Sequence, residues 1–196
     1  MEKRAITAFP ISEINATRWS PRVFSDKPVT REQVGPLLEA ARWAASCFNA
    51  QPWRFIVGIG PESEAYGKIL GTLVEANRAW AATAPVLMIS VASTNFEHNG
   101  KENRHAGYDT GQAVSTLAAE ATGMGLFLHQ MAGFNADAAR AAFNIPADCL
   151  PMAAIALGYL GDPGSMGPEM KEREMAPRQR KPLADLAFGS SWGDSW

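Results

Sequence analysis

The alternation of apolar and polar positions divides the first 160 residues into helices and strands joined by short connections. Val34, Leu37, Leu38, Ala41 and Ala45 recur at helical spacing behind a capping box, in which the Thr30 hydroxyl faces the N3 amide and Gln33 reaches back. Thr30 to Ala45 is therefore predicted to be a helix with one buried face. Arg54 to Ile59 reads as a strand ending at Gly60-Pro61, Ser63 to Glu75 as a helix, and Pro85 to Ala92 as a buried strand rich in Val, Leu and Ile. From about Gly107 to Thr122, Ala113, Val114, Leu117, Ala118 and Ala121 form a stripe of small residues that lets another helix approach closely. Gly125 to His129 is expected to be a strand, Ala136 to Phe143 a short helix, and Pro151 to Leu160 a last central strand.

The pattern changes at Gly161. Gly, Pro, Met and charged residues dominate the remainder, with little periodicity until Leu183 to Phe188, and the chain ends in Trp192 and Trp196. Two exposed indoles forgo much apolar contact, so this tail is expected to pack on something. At 196 residues the chain suits one domain with a substantial core. Its formal charge of -2 lacks the basic excess of a nucleic-acid footprint. Cys47 and Cys149 are too few for a disulfide framework or a zinc knuckle, and a reducing cytoplasm is the natural reading. Met1 to Pro10 has no apolar targeting core, and the run Trp80 to Ala92, broken by Thr83 and Pro85, falls short of a bilayer span, so no membrane attachment is expected.

Two common chemistries fail on spacing. Gly58-Ile59-Gly60 follows a strand, but Ser63 stands where a dinucleotide fingerprint needs its third glycine, and Pro61 interrupts the turn. His98 and His105 lack ligand partners at metal spacing, so no metal is expected, and no Gly-x-Ser-x-Gly elbow is present. What remains is a polar cluster at Thr17-Arg18-Trp19-Ser20-Pro21-Arg22 and a second at Ser46-Cys47-Phe48-Asn49-Ala50-Gln51-Pro52-Trp53-Arg54. Two guanidinium forks beside a serine can clamp a phosphate through paired charge-assisted hydrogen bonds. The short neutral side chains of the second cluster suit the rim of a flat heteroaromatic ring. Together they suggest a mononucleotide.

The segment from Arg18 to Val57 resembles the N-terminal signature of the nitroreductase family of FMN-dependent NAD(P)H oxidoreductases. The resemblance continues through Met131-Ala132-Gly133-Phe134, Ile155-Ala156-Leu157-Gly158-Tyr159 and Arg178-Gln179-Arg180-Lys181-Pro182-Leu183. It implies an α+β fold, a three-layer α/β/α sandwich on a mixed, mainly antiparallel sheet. It also implies a homodimer in which residues 161–196 of a single domain spanning 1–196 extend onto the partner subunit. By the same resemblance Arg18, Ser20, Arg22, Arg178 and Arg180 lie at the FMN phosphate, Ser46, Cys47 and Asn49 reach the flavin from the neighbouring subunit, and Trp19, Ala45 and Gln51 are further cofactor-binding positions. Asn77 is placed at the pyrimidine edge, and Gln130 with the backbone of Met131, Ala132 and Gly133 at the central ring, Gly133 allowing close approach. Some members carry an acid one position before that glycine; here it is Ala132, which removes a charge near the reaction centre.

Bland alternatives compete at several positions. Arg78, Arg178 and Lys181 also read as surface charges, Gln51 as a turn tie, Trp53 as core, Met131 as a gap-filler, and His129 as a satisfied histidine at a strand end. The implied activity passes electrons from NADH or NADPH through FMN to a flat small-molecule acceptor such as a nitroaromatic or quinone, in a ping-pong cycle that requires no catalytic side chain. Dehalogenase or enone reductase variants, a flavin carrier or sensor without turnover, and an FMN-free scaffold are the alternatives.

Overall fold

Val86–Ser93 (β2) is apolar on both faces, and a strand of that composition belongs in the middle of a covered sheet. The computed structural model describes residues 3–196 and places it there, in a four-stranded sheet ordered β1-β2-β4-β3, with β1 at Trp53–Ile59, β3 at Phe127–Met131 and β4 at Cys149–Gly158. All three pairings are antiparallel, with an irregularity in β2 between Ser90 and Val91. The parallel member of the expected mixed sheet is not among these four strands.

Alternation along β2 separates the two halves of the core. Val86 and Met88 face Val34, Leu37 and Ala41 of α2 (Arg31–Arg42) and Ala113, Leu117 and Ala121 of α5 (Ala106–Gly123). Leu87, Ile89 and Val91 face Tyr66 and Ile69 of α3 (Glu64–Thr72), Trp80 of α4 (Glu75–Ala81) and Ala139 of α6 (Ala136–Phe143). Helices thus cover both faces and complete the three-layer sandwich. The alanine stripe of α5 receives α2, as its small side chains require.

The Gly58-Ile59-Gly60 run has a packing role. A Cβ on Gly58 would stand 2.4 Å from the Tyr66 backbone nitrogen, so the glycine lets α3 lie directly on β1. Gly60, at φ +75, makes the turn that follows.

Several boundaries differ from the sequence expectation. The helix opening at Thr30 keeps its box, with Gln33 Oε1 accepting the Thr30 N–H at 3.0 Å, but it ends at Arg42 and leaves Ala45 exposed. The predicted helix from Ser63 to Glu75 breaks at Leu73 and Val74, which are extended; the Val74 N–H donates to the Gly133 carbonyl and Leu73 bridges Phe134, so tertiary pairing overrides local propensity. Residues 75–81 then form α4. The strand expected at Gly125 to His129 begins two residues later, because Gly125 at φ +73 still belongs to the turn closing α5. Two helices carried too little periodicity to be read, Glu13–Thr17 (α1) and Pro168–Met175 (α7). After Glu174 no residue is buried, and Trp192 and Trp196 remain 91% and 82% exposed.

Candidate functional site

The segment following α1 must cross to the sheet edge, and it does so by burying Trp19 edge-on against Phe127, ring centroids 6.2 Å apart, while its charged neighbours stay near the surface. Arg18 and Arg22 are half-buried and Ser20 is exposed. From the other end of the chain, α7 and the residues after it return to the same place. Lys3, Arg18, Ser20, Arg22, Arg178 and Arg180 line one cavity of about 240 Å³ together with Glu174. That volume is below the roughly 300–1,000 Å³ of pockets that enclose a whole ligand, and suits a headgroup.

Crowded cations define the electrostatics. Burial lowers the Arg18 pKa, and the positive charge of Arg180 adds to the effect; Arg178 is lowered by burial, then by Arg18 and Arg180. Lys3 is lowered by burial, with Glu174 opposing and Arg178 and Arg22 reinforcing the shift. Neither Arg18 nor Arg180 forms an ion pair among the described residues. A dianion would relieve this repulsion, so the residues present fit a phosphate. The shell is tied together from the backbone: Arg178 Nη1 donates to Lys3 O and Ala16 O, both at 2.8 Å, and Lys3 Nζ donates to Glu174 O at 2.7 Å while lying 4.7 Å over the Trp19 ring. Arg178 is thus partly a strap between the two termini, and Arg180 is the freer guanidinium.

β3 is tied to the segment that carries Arg18 and Arg22. His129 Nδ1 donates to Pro21 O at 2.9 Å, and its ring packs 4.6 Å from Trp80. His129 is a satisfied histidine, in the middle of β3 and not at the strand end that the sequence suggested. Burial holds its pKa below the usual 6.5, ahead of opposing backbone hydrogen bonds. Because the folded pKa lies below the unfolded one, the unfolded chain binds the proton first as pH falls. Wild-type stability is therefore expected to be full above about pH 6.5 and to decline below it. Chemical denaturation from pH 7.5 to 5 should show a steeper loss than in His129→Phe; equal slopes would contradict the assignment.

Asn77 Nδ2 donates to Gly133 O at 3.0 Å, leaving one amide hydrogen and Oδ1 for a ligand. A Cβ on Gly133 would meet Asn77 Nδ2 at 2.5 Å and Val74 Cγ2 at 2.9 Å, so the close approach this glycine permits is to α4. Met131 is buried in the core, whereas Gln130 and Ala132 are exposed and Gly133 is half-buried.

The second polar cluster sits elsewhere. Ser46 Oγ accepts the Gln51 N–H at 3.0 Å, and Gln51 Nε2 donates to Asn49 O at 3.1 Å. Phe48, Asn49 and Gln51 all have positive φ, a strained run that needs outside support. Asp109, 3% exposed, supplies part of it by accepting the Cys47 N–H on Oδ2 at 3.0 Å. Sequence reasoning missed Asp109, although an acid on the α5 stripe, four residues before Ala113, is itself a signal. Asn49 and Gln51 line a cavity with Phe48, Arg54, Glu97 and His98 that shares no residue with the basic one. No group of three or more His, Cys, Asp or Glu capable of holding a metal occurs among the described residues, and none of their helices is long and apolar enough to cross a membrane.

Comparison with known proteins gives a consistent result. Residues 16–67 match the nitroreductase family. An uncharacterized 15.4 kDa protein of Mycolicibacterium smegmatis is 34% identical over 148 residues, 72% of this chain and 98% of that one. A crystal structure of an oxidoreductase containing FMN superposes with a TM-score of 0.91 at 32% identity, covering 97% of this chain and 96% of that one. A nitroreductase family protein from Clostridium difficile 630 superposes with a TM-score of 0.71 at 26% identity, covering 93% and 99%.

Proposed function

The chain belongs to the nitroreductase family of flavin oxidoreductases, and from that premise we propose that it is an FMN-dependent NAD(P)H oxidoreductase acting as a homodimer on flat organic acceptors such as nitroaromatics or quinones. The observation that carries this reading is the convergence of Arg18 and Arg180, from opposite ends of the polypeptide, on one headgroup-sized cavity whose cations repel one another. Arg18, Ser20, Arg22 and Arg180 would hold the FMN phosphate, with Arg178 bracing the shell from behind. Asn77 would present Oδ1 and its remaining N–H to the pyrimidine edge, and the 131–133 backbone would flank the central ring. Ser46, Asn49 and Gln51, unable to join the basic cavity of their own chain, would complete the partner's site.

The bound flavin would supply the two-electron chemistry, taking electrons from NADH or NADPH and passing them to the acceptor in alternating half-reactions. The polypeptide binds, orients and excludes water, and no titrating side chain is asked to move a proton. The exposed apolar groups Trp43, Phe48, Leu186, Trp192 and Trp196 are surface a partner subunit would cover. The test is an absorbance spectrum of the purified protein followed by anaerobic titration with each nicotinamide. Flavin bands bleached by NADH or NADPH are the expected result. A yellow protein bleached by neither would make it a carrier or sensor, and a colourless protein that takes up no FMN would overturn the assignment.

A further inference from the structure

Phe48, Asn49 and Gln51 have φ of 51, 54 and 46, so three of the four residues from 48 to 51 sit in the left-handed region and none of the three is glycine. Such a run keeps its shape only if its surroundings impose it. Ser46 precedes the single 3-10 turn Cys47–Asn49 yet gives it no side-chain cap, and its Oγ instead accepts the Gln51 N–H at 3.0 Å. The cap comes from another element. Asp109, 62 residues along the chain in the first turn of α5, accepts the Cys47 N–H on Oδ2 at 3.0 Å, at a helix end where the dipole favours a carboxylate. Among the described residues no other side chain accepts from the backbone of residues 47–49. Asp109 is itself 3% exposed, on a helix packed along α2, so the anchor is rigid. The far side of the loop is open: Phe48 stays 85% exposed while meeting Phe96 edge-on, ring centroids 6.0 Å apart, and Asn49 is exposed beside it.

We propose that Asp109 is a positioning residue for the cofactor. By capping the turn from α5 it holds the Ser46–Gln51 loop in the strained form that presents Asn49 to the flavin of the partner subunit. It acts through the Cys47 N–H alone, and what it must supply there is an acceptor. The proposal rests on the reading that this loop completes the partner's flavin site.

The experiment titrates FMN into flavin-free, full-length wild type and variants, reading the quenching of flavin fluorescence, and then records the visible circular dichroism of each saturated complex. Asp109→Ala is expected to weaken FMN binding roughly tenfold, the factor worth one charge-assisted hydrogen bond, and to change the dichroism of the bound flavin. Asp109→Asn keeps an acceptor oxygen and should behave as the wild type. Cys47→Pro removes the donor without touching Asp109, because Ser46 is already extended at φ -150 and ψ 155, as the residue before a proline must be, and position 47 opens the turn. It should reproduce the Asp109→Ala loss, with the double variant no weaker than the worse single one, and it carries the test if Asp109→Ala does not fold. Asn49→Gly deletes the exposed amide while tolerating its positive φ, so it reports on the loop itself. Weaker binding in Asn49→Gly, with wild-type affinity and dichroism in Asp109→Ala and Cys47→Pro, would overturn the role of Asp109 and leave the loop at the flavin. A lowered melting temperature alone in those two variants would do the same, as would an Asp109→Asn variant as impaired as Asp109→Ala. Wild-type affinity and dichroism in all three of Asn49→Gly, Asp109→Ala and Cys47→Pro would place the loop away from the flavin, and the reading would fall with the proposal.

Discussion

Replacing Arg18 with alanine is expected to empty the protein of flavin while leaving it folded. Arg18 reaches the cavity from the segment after α1, with its backbone N–H held by Ile14 O at 2.9 Å, so the substitution leaves the local fold in place. A guanidinium can give a phosphate two parallel charge-assisted hydrogen bonds, and losing them should weaken binding by about 3 kcal/mol, roughly 10²-fold. The empty protein should respond in the opposite sense. Burial and Arg180 both disfavour the Arg18 charge, so without flavin the variant should melt no lower than the wild type. Arg18→Lys restores a charge without the fork and should recover only part of the affinity. Flavin content and melting temperature, measured with and without added FMN, test both signs together. Full yellow colour in Arg18→Ala would remove the arginine from the site.

What could be read from the residues was the part of the fold governed by periodicity. The continuous apolar run of β2, the alanine stripe of α5 and the Thr30–Gln33 box each stem from a local rule, and each is present. The break at Leu73 and Val74 could not be read, because it depends on a carbonyl at Gly133, about sixty residues away. The charges of the site were legible as types, two arginines early and two late. The electrostatic balance was not, since Lys3 and Glu174 join the cavity only through the return of α7 to the N-terminal segment. Asp109 was legible in principle, as a charged residue where the stripe calls for an apolar one. The reason for Gly133 could not be found from sequence, because the atom a side chain would strike belongs to Asn77 on another helix.

Removing residues 177–196 is expected to convert a flavin-loaded dimer into an empty monomer. Nothing after Glu174 is buried, so the truncated chain loses no core side chain and should keep its secondary structure by circular dichroism. It does lose Arg178, which bonds to Lys3 O and Ala16 O, and Arg180. It also loses Leu183 and Leu186 and the two indoles, which find little cover in their own chain: Trp192 touches Phe188, ring centroids 4.8 Å apart, and still stays 91% exposed. Each indole offers roughly 200 Å² of surface, or about 5 kcal/mol if a partner covers it fully, so even a third of the pair's combined contribution would shift dimerisation by about 10²-fold. A shorter truncation that removes residues 183–196 separates the two losses, because it retains both arginines and deletes only the apolar end. If the partner subunit completes the flavin site, that variant should also be monomeric and should release its flavin despite an intact basic cavity. Light scattering and the flavin absorbance of both variants give the answer. A shorter variant that stays yellow as a monomer would show that one chain suffices to hold the cofactor, and the Ser46–Gln51 loop would then have no part in binding it.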